Sequence, residues 1–124
     1  MGGSFNPPHE GHLVVARASL RRLHLDQLWW VVTPGNPLKS HGGLPATDSR
    51  IEAVESLAKH PKMLTTAFET ELGTPYTAAT IEFLLKRYPQ ARFVWVMGAD
   101  NLATFHRWQR WRDIAAMVPI AVID

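Results

Sequence analysis

The 124-residue chain has no cysteine. That excludes a disulfide framework, a thiolate nucleophile and a cysteine-based metal site, and it fits a reducing, cytoplasmic setting. Long hydrophobic runs are also lacking. The longest, such as Leu28 to Val32 and Phe93 to Met97, fall far short of the ~20 residues a membrane-spanning helix needs, so no membrane partner is expected. No basic segment followed by an apolar one opens the chain, so no secretory signal is visible. Charge of one sign is scarce: the formal net charge is only +2, too little to argue for a nucleic-acid partner by itself. The dinucleotide and P-loop fingerprints GxGxxG and GxxxxGK[ST] are both absent, as are internal repeats and low-complexity tracts.

What remains is ordinary globular material, 46% hydrophobic and 19% charged, enough for one domain with a real core. Apolar, β-branched runs predict strands over Gln27–Thr33, Met63–Phe68, Arg92–Met97 and Pro119–Ile123. Their nearly unbroken apolar character suits strands buried on both faces of a parallel sheet. Amphipathic spacing predicts helices between them. One covers Gly11–His24, with Leu13, Ala16, Leu20 and Leu23 inward and Arg17, Arg21 and Arg22 outward. A second covers Ser49–Lys59, with a capping box from Ser49 and Glu52. A third runs from Thr74–Thr77 to about Arg87, and short pieces cover Asn101–Phe105 and Gln109–Met117. The alternation predicts an α/β, Rossmann-like parallel sheet with helices on both faces. The irregular stretch Pro34–Ala46, with three prolines and three glycines, is long enough to be a functional loop.

The chemistry concentrates in Gly2–His12, GGSFNPPHEGH. Gly2 and Gly3 allow close backbone approach to a ligand and positive φ. Ser4 and nearby amides can face an anion at the N-terminus of the helix that follows. His9 and His12, three apart across Gly11, project to one side of the first helical turn, where imidazolium groups would meet phosphate oxygens. Elsewhere, His24, His41, His60 and His106 show no paired spacing and read as surface groups. Glu69 and Glu71 form no carboxylate pair of defined geometry.

The opening segment resembles the HxGH-containing nucleotidylyltransferases, and more narrowly the bacterial nicotinate-nucleotide adenylyltransferases. That family more often has Asp where Asn6 stands. PGNPLK (Pro34–Lys39) resembles its substrate loop in shortened form, PYTAATI (Pro75–Ile81) its S/P-Y-T-x-x-T-L segment, and GADNLATFHRW (Gly98–Trp108) its G-x-D-x-L-x-x-F-x-x-W stretch. The resemblance implies transfer of the adenylyl group of ATP to nicotinate mononucleotide, giving deamido-NAD and pyrophosphate. It implies His9 and His12 as catalytic, phosphate-binding groups and Gly2, Gly3, Ser4, Phe5, Gly98 and Asp100 as nucleotide-binding. Lys39, Tyr76, Thr77 and Trp108 would bind the second substrate: Trp108 by stacking on the pyridine ring, Tyr76 and Thr77 at its carboxylate, Lys39 at phosphate. Mg²⁺ would travel with ATP, with no protein ligand assigned.

Alternatives stay open. The acceptor could be phosphopantetheine or nicotinamide mononucleotide, or the chain could bind nucleotide without catalysis. The aromatic and basic stretch FHRWQRWR (Phe105–Arg112) would suit a stacking nucleic-acid surface instead. Residue readings compete as well: Trp108 as a half-buried core residue, Asp100 as an N-cap, and Tyr76 and Thr77 as helix caps. The expectation is a single nucleotidylyltransferase domain over 1–124 that lacks the first strand ahead of Gly2 and a C-terminal S-S-T-x-x-R phosphate motif, and so has little activity alone. With strands in the order 3-2-1-4-5, an absent central strand would leave unpaired edges, a template for association that includes homo-oligomers.

Overall fold

The computed structural model describes residues 1–3, 5, 7–33, 47–67 and 76–124. Its elements follow the order β1 (Gly2–Gly3), α1 (Glu10–Arg22), β2 (Leu28–Val32), α2 (Thr47–Leu57), β3 (Met63–Thr66), α3 (Thr77–Arg87), β4 (Trp95–Gly98), α4 (Ala99–Leu102), a 3-10 turn (Phe105–Arg107), α5 (Trp111–Met117) and β5 (Ile120–Ile123). Every described ladder is parallel, as the doubly apolar strands require. The strands pair as β1-β2-β3 and β4-β5, which are the two runs of neighbours contained in the order 3-2-1-4-5.

Several sequence expectations need correction. The two glycines are strand rather than turn: they form β1, paired Gly2 to Val31 and Gly3 to Val32. Neither requires positive φ. What each requires is space. A Cβ on Gly2 would lie 2.7 Å from the Trp95 indole, and one on Gly3 would lie 3.3 Å from the Phe5 ring. α2 begins at Thr47, so Ser49 stands inside its first turn and cannot cap it. The strands are shorter than the apolar runs, because Phe93 and Val94 precede the β4-β5 ladder and Gln27 and Thr33 flank β2.

Among the described residues three apolar clusters form, the smallest being Ala18, Val96 and Ile123. Leu13, Ala16, Trp30, Val32, Val54 and Met63 pack between α1, α2 and the first sheet. Ala78, Ile81, Trp95, Met97, Phe105 and Ile114 pack under α3 and α5. The inward helix faces match the predicted periodicity, except that Leu23 lies past the end of α1 and is exposed. Arg17, Arg21 and Arg22 are solvated, as are His24, His60 and His106. No described helix is long and apolar enough to cross a membrane. A cleft of about 790 Å³ opens toward the amino ends of β2 and β4, lined by Met1, Leu28, Trp29, Ile81, Val94 and Val96 among others. Ligands of open α/β sheets bind at the other, carboxyl ends, and none of the motif histidines lines this cleft.

Candidate functional site

The histidine pair is built by the start of α1. His9 is the N-cap, in extended backbone conformation, and its Nδ1 accepts from the Gly11 N–H at 3.0 Å. His12 reaches back, and its Nδ1 accepts from the His9 N–H at 3.0 Å. This reciprocal arrangement is a capping box with imidazoles in place of the usual hydroxyl and carboxylate. The two rings stack with centroids 3.8 Å apart and 24° between planes. Gly11 makes this geometry possible, since a Cβ there would lie 2.8 Å from His9 Cε1.

The capping bonds decide which nitrogen of a neutral ring carries the proton. With each Nδ1 accepting a backbone N–H, the neutral rings carry their proton on Nε2. A second proton on Nδ1 would face a backbone donor. Burial lowers the His12 pKa below its ordinary 6.5, and the neighbouring His9 lowers it further, against an opposing pull from Asp100. For His12, burial and the neighbouring His9 favour the neutral ring, whose Nε2–H can donate. Nε2–H donors at the positive end of the α1 dipole suit the oxygens of a polyphosphate.

Linkage gives this a sign. The folded chain holds a proton on His12 less readily than the unfolded chain, so stability falls as pH drops through the ordinary value of 6.5. His12→Asn keeps an acceptor near the Nδ1 position but does not titrate. Thermal denaturation at about pH 7 and about pH 5 should show a smaller Tm loss for His12→Asn than for the wild type. Equal losses would show that His12 titrates as a solvated imidazole.

The remaining predicted residues distribute as follows. Gly98 ends β4 and leaves room for the Asp100 carboxylate, whose Oδ1 would be 2.8 Å from a Cβ at that glycine. Asp100 is not an N-cap, because Gly98 takes that position; it faces His12 electrostatically instead. Phe5 is buried, at 3% exposure, with φ 48°. Tyr76 is the N-cap of α3 but makes no side-chain capping bond, and Thr77 opens the helix. Trp108 is half-buried, edge-on to Phe105 at 5.2 Å and to Trp95 at 6.5 Å. It shares an apolar cluster with Ala78 of α3, so the α3 start and Trp108 converge. Ser4 and Lys39 lie outside the described residues, as do His41, Glu69, Glu71, Pro75 and the stretch 34–46.

The aromatics of Phe105–Arg112 turn inward rather than forming a stacking platform. Phe105 is buried and Trp108 and Trp111 pack against the same cluster. Arg110 pairs with Glu82 and with Asp113, the latter at 2.8 Å, and Arg112 covers the Trp111 ring. This arrangement disfavours the nucleic-acid reading.

One buried cation escaped the sequence reading. Arg50 is 2% exposed and donates to the Thr33 carbonyl at 2.5 Å, while the Thr33 N–H donates to Gly3 O at 3.0 Å. Burial lowers the Arg50 pKa. The guanidinium thus ties α2 to the carboxyl end of β2 and, through it, to β1. The available signal was spacing: Arg50 shares a helical face with Val54 and Leu57.

A cytidylyltransferase-like family model matches residues 1–124. The chain is 59% identical over 123 residues to a "probable nicotinate-nucleotide adenylyltransferase" of Agrobacterium fabrum, covering 99% of this chain and 66% of that protein. It is 55% identical over 124 residues to the protein so named in Bradyrhizobium sp. (strain ORS 278), covering 100% of this chain and 65% of that one. The chain thus spans about two thirds of the length of these relatives. A crystal structure of a candidate nicotinate-nucleotide adenylyltransferase from Vibrio parahaemolyticus superposes with TM-score 0.80 at 23% identity, covering 98% of this chain and 69% of that one. The Plasmodium falciparum nicotinic acid mononucleotide adenylyltransferase gives TM-score 0.69 at 13% identity, covering 98% and 71%. At such identities these structures speak to the fold, which is the same parallel α/β arrangement. With the family match extending over its whole length, the chain belongs to the cytidylyltransferase-like family.

Proposed function

We propose that residues 1–124 form a single nucleotidylyltransferase domain that transfers the adenylyl group of ATP to nicotinate mononucleotide. The observation that carries this reading is the stacked His9–His12 pair, fixed by two backbone N–H groups so that both Nε2–H groups are free to bind phosphate. The names of the similar proteins support the choice of substrates.

In this reaction an oxygen of the acceptor's 5′-phosphate attacks the α-phosphorus of ATP. The bond from that phosphorus to the bridging oxygen breaks, and pyrophosphate leaves with the electron pair. The nucleophile is already an anion, so no strong base is needed, and catalysis is positioning plus stabilisation of charge. His9 and His12 would donate from Nε2 to the ATP phosphates as negative charge shifts toward the leaving group. Gly2, Gly3 and Phe5 would line the nucleotide through their backbone, joined by Ser4, and Asp100 would accept from ribose hydroxyls. Tyr76 and Thr77 would present the start of α3 to the pyridine carboxylate, Trp108 would stack on the ring, and Lys39 would meet phosphate.

Mg²⁺ takes oxygen ligands in near-octahedral geometry. Asp100 is the one carboxylate facing His12. No group of three or more His, Cys, Asp or Glu able to hold a metal occurs among the described residues. The described residues offer no such cluster, and the ion would travel with ATP, held chiefly by phosphate oxygens and water.

Comparing acceptors in a pyrophosphate-release assay tests the reading. Nicotinate mononucleotide should give the highest kcat/KM, above nicotinamide mononucleotide and phosphopantetheine. A higher value for either rival would reassign the acceptor, and ATP binding without turnover on any of them would mark a non-catalytic binder.

Trp108→Ala separates the two substrates. It should weaken nicotinate mononucleotide binding by an amount on the order of 1–3 kcal/mol, by analogy with base–aromatic stacking, and leave ATP affinity nearly unchanged. Calorimetric titration with each substrate checks this. Equal loss for both, or loss of the fold, would make Trp108 a core residue only.

A further inference from the structure

Phe5 has a backbone conformation that its residue type disfavours. Its φ is 48°, in the left-handed region that is costly for a bulky side chain and free for glycine. Strain of this kind persists where the surroundings over-determine it and where the held group has a use. Here the surroundings are named. The ring is buried, with Gly3 lying over it closely enough that a Cβ would come within 3.3 Å of Phe5 Cζ. On one side it meets Trp30, centroids 5.2 Å apart. On another it meets His12, centroids 5.1 Å apart and planes at 83°. His12 is thereby flanked by the stacked His9 ring at 3.8 Å and by Phe5, with its Nδ1 tied to the His9 N–H.

We propose that the Phe5 side chain is a positioning residue for His12. It braces the imidazole between the buried core and the His9 ring so that the Nε2–H group is held in one orientation with the ring partly shielded from water. The proposal rests on the reading of His12 as a phosphate-binding group. It assigns the Phe5 ring a role separate from the backbone contact to nucleotide. It also accounts for a pair of adjacent choices in the sequence: Gly3 is small because the Phe5 ring folds beneath it, and Phe5 is not glycine because His12 needs the ring. Shielding by Phe5 agrees with the lowered His12 pKa, on which burial acts first, then His9, with Asp100 of α4 pulling the other way.

The test compares Phe5→Leu and Phe5→Met with Val32→Ala, a deletion in the same apolar cluster that leaves the Phe5 ring on His12. Two quantities are read: the NMR titration midpoint of the His12 Cε1–H in ligand-free protein, assigned with His12→Asn, and kcat with KM for ATP. Both Phe5 variants should raise the midpoint toward the ordinary histidine value. They should also lower kcat by about tenfold or more, because small misplacements of a catalytic group are costly, with KM for ATP changed less than about threefold. Val32→Ala should lower Tm and move neither quantity beyond its loss of folded protein. Midpoint and kcat that merely follow Tm across the three variants would overturn the proposal. So would unfolding of both Phe5 variants while Val32→Ala stays folded, which would make the ring an anchor of the core alone. The midpoint needs no substrate, so it decides the bracing even if the wild-type protein fails to turn over nicotinate mononucleotide, a result that would count against the proposed function instead.

Discussion

Alanine at His9 or at His12, placed in a chain of the relatives' full length, should lower kcat/KM for adenylyl transfer by at least about 10²-fold. Each change removes a preorganised donor to the phosphates, a contact worth roughly 3 kcal/mol or more in the transition state. The two positions differ in what else is lost. His9 is also the cap of α1, so His9→Ala should cost about 1 kcal/mol of stability as well. His9→Asn separates these roles, because asparagine is a good N-cap and has nothing at the Nε2 position. It should fold as stably as the wild type and be as inactive as His9→Ala. Steady-state pyrophosphate release, read beside thermal denaturation, checks all three. Near wild-type turnover in the variants would remove the histidine pair from the site.

Gly11→Ala should have an equally large kinetic effect with almost no effect on folding. A methyl group there would come 2.8 Å from His9 Cε1 and 2.9 Å from its Nδ1, so the ring must swing out and its capping bond must break. The stability terms nearly cancel. Alanine in place of glycine in a helix gains up to about 1 kcal/mol, and loss of the cap costs about the same. Tm should therefore stay within the shift that about 1 kcal/mol produces, while kcat/KM falls about 10²-fold. A variant with normal kinetics would show that the His9 ring works from some other position. A variant that unfolds would show that the α1 start bears more of the fold than its capping bonds suggest.

The sequence revealed the parallel α/β class because its signals are local. Apolar runs such as Leu28–Val32 need both faces covered, and the spacing of Leu13 with Ala16, or of Ile81 with Leu84, puts one helix face inward. The histidine pair was equally legible, since three residues in a first helical turn bring side chains together whatever packs around them. What local patterning could not show were reasons that depend on contacts across the fold. Gly2 read as a residue for close backbone approach and positive φ, and only the Trp95 indole, 93 positions later in the chain, shows the need for space there. Nor could local patterning show which ring nitrogen faces outward, which follows from the Nδ1 atoms accepting backbone N–H groups. Arg50 drew no reading from the sequence, and its burial against the Thr33 carbonyl appears only when α2 docks on β2. The Asp100 reading as a cap failed by two residues, because α4 begins directly after Gly98.

The central claim is that His9 and His12, their Nδ1 atoms tied to backbone N–H groups, take the phosphates of ATP on Nε2. Long-range ¹H–¹⁵N NMR of the histidine rings, with and without ATP, tests it most directly. Without nucleotide, the neutral form of each ring should carry its proton on Nε2 and leave Nδ1 bare. On adding ATP, the Nε2 signals of these two histidines should shift, while those of the exposed His24, His60 and His106 stay in place. A proton on Nδ1 in the neutral form of either ring, or ATP binding that leaves both Nε2 signals unmoved, would contradict the account.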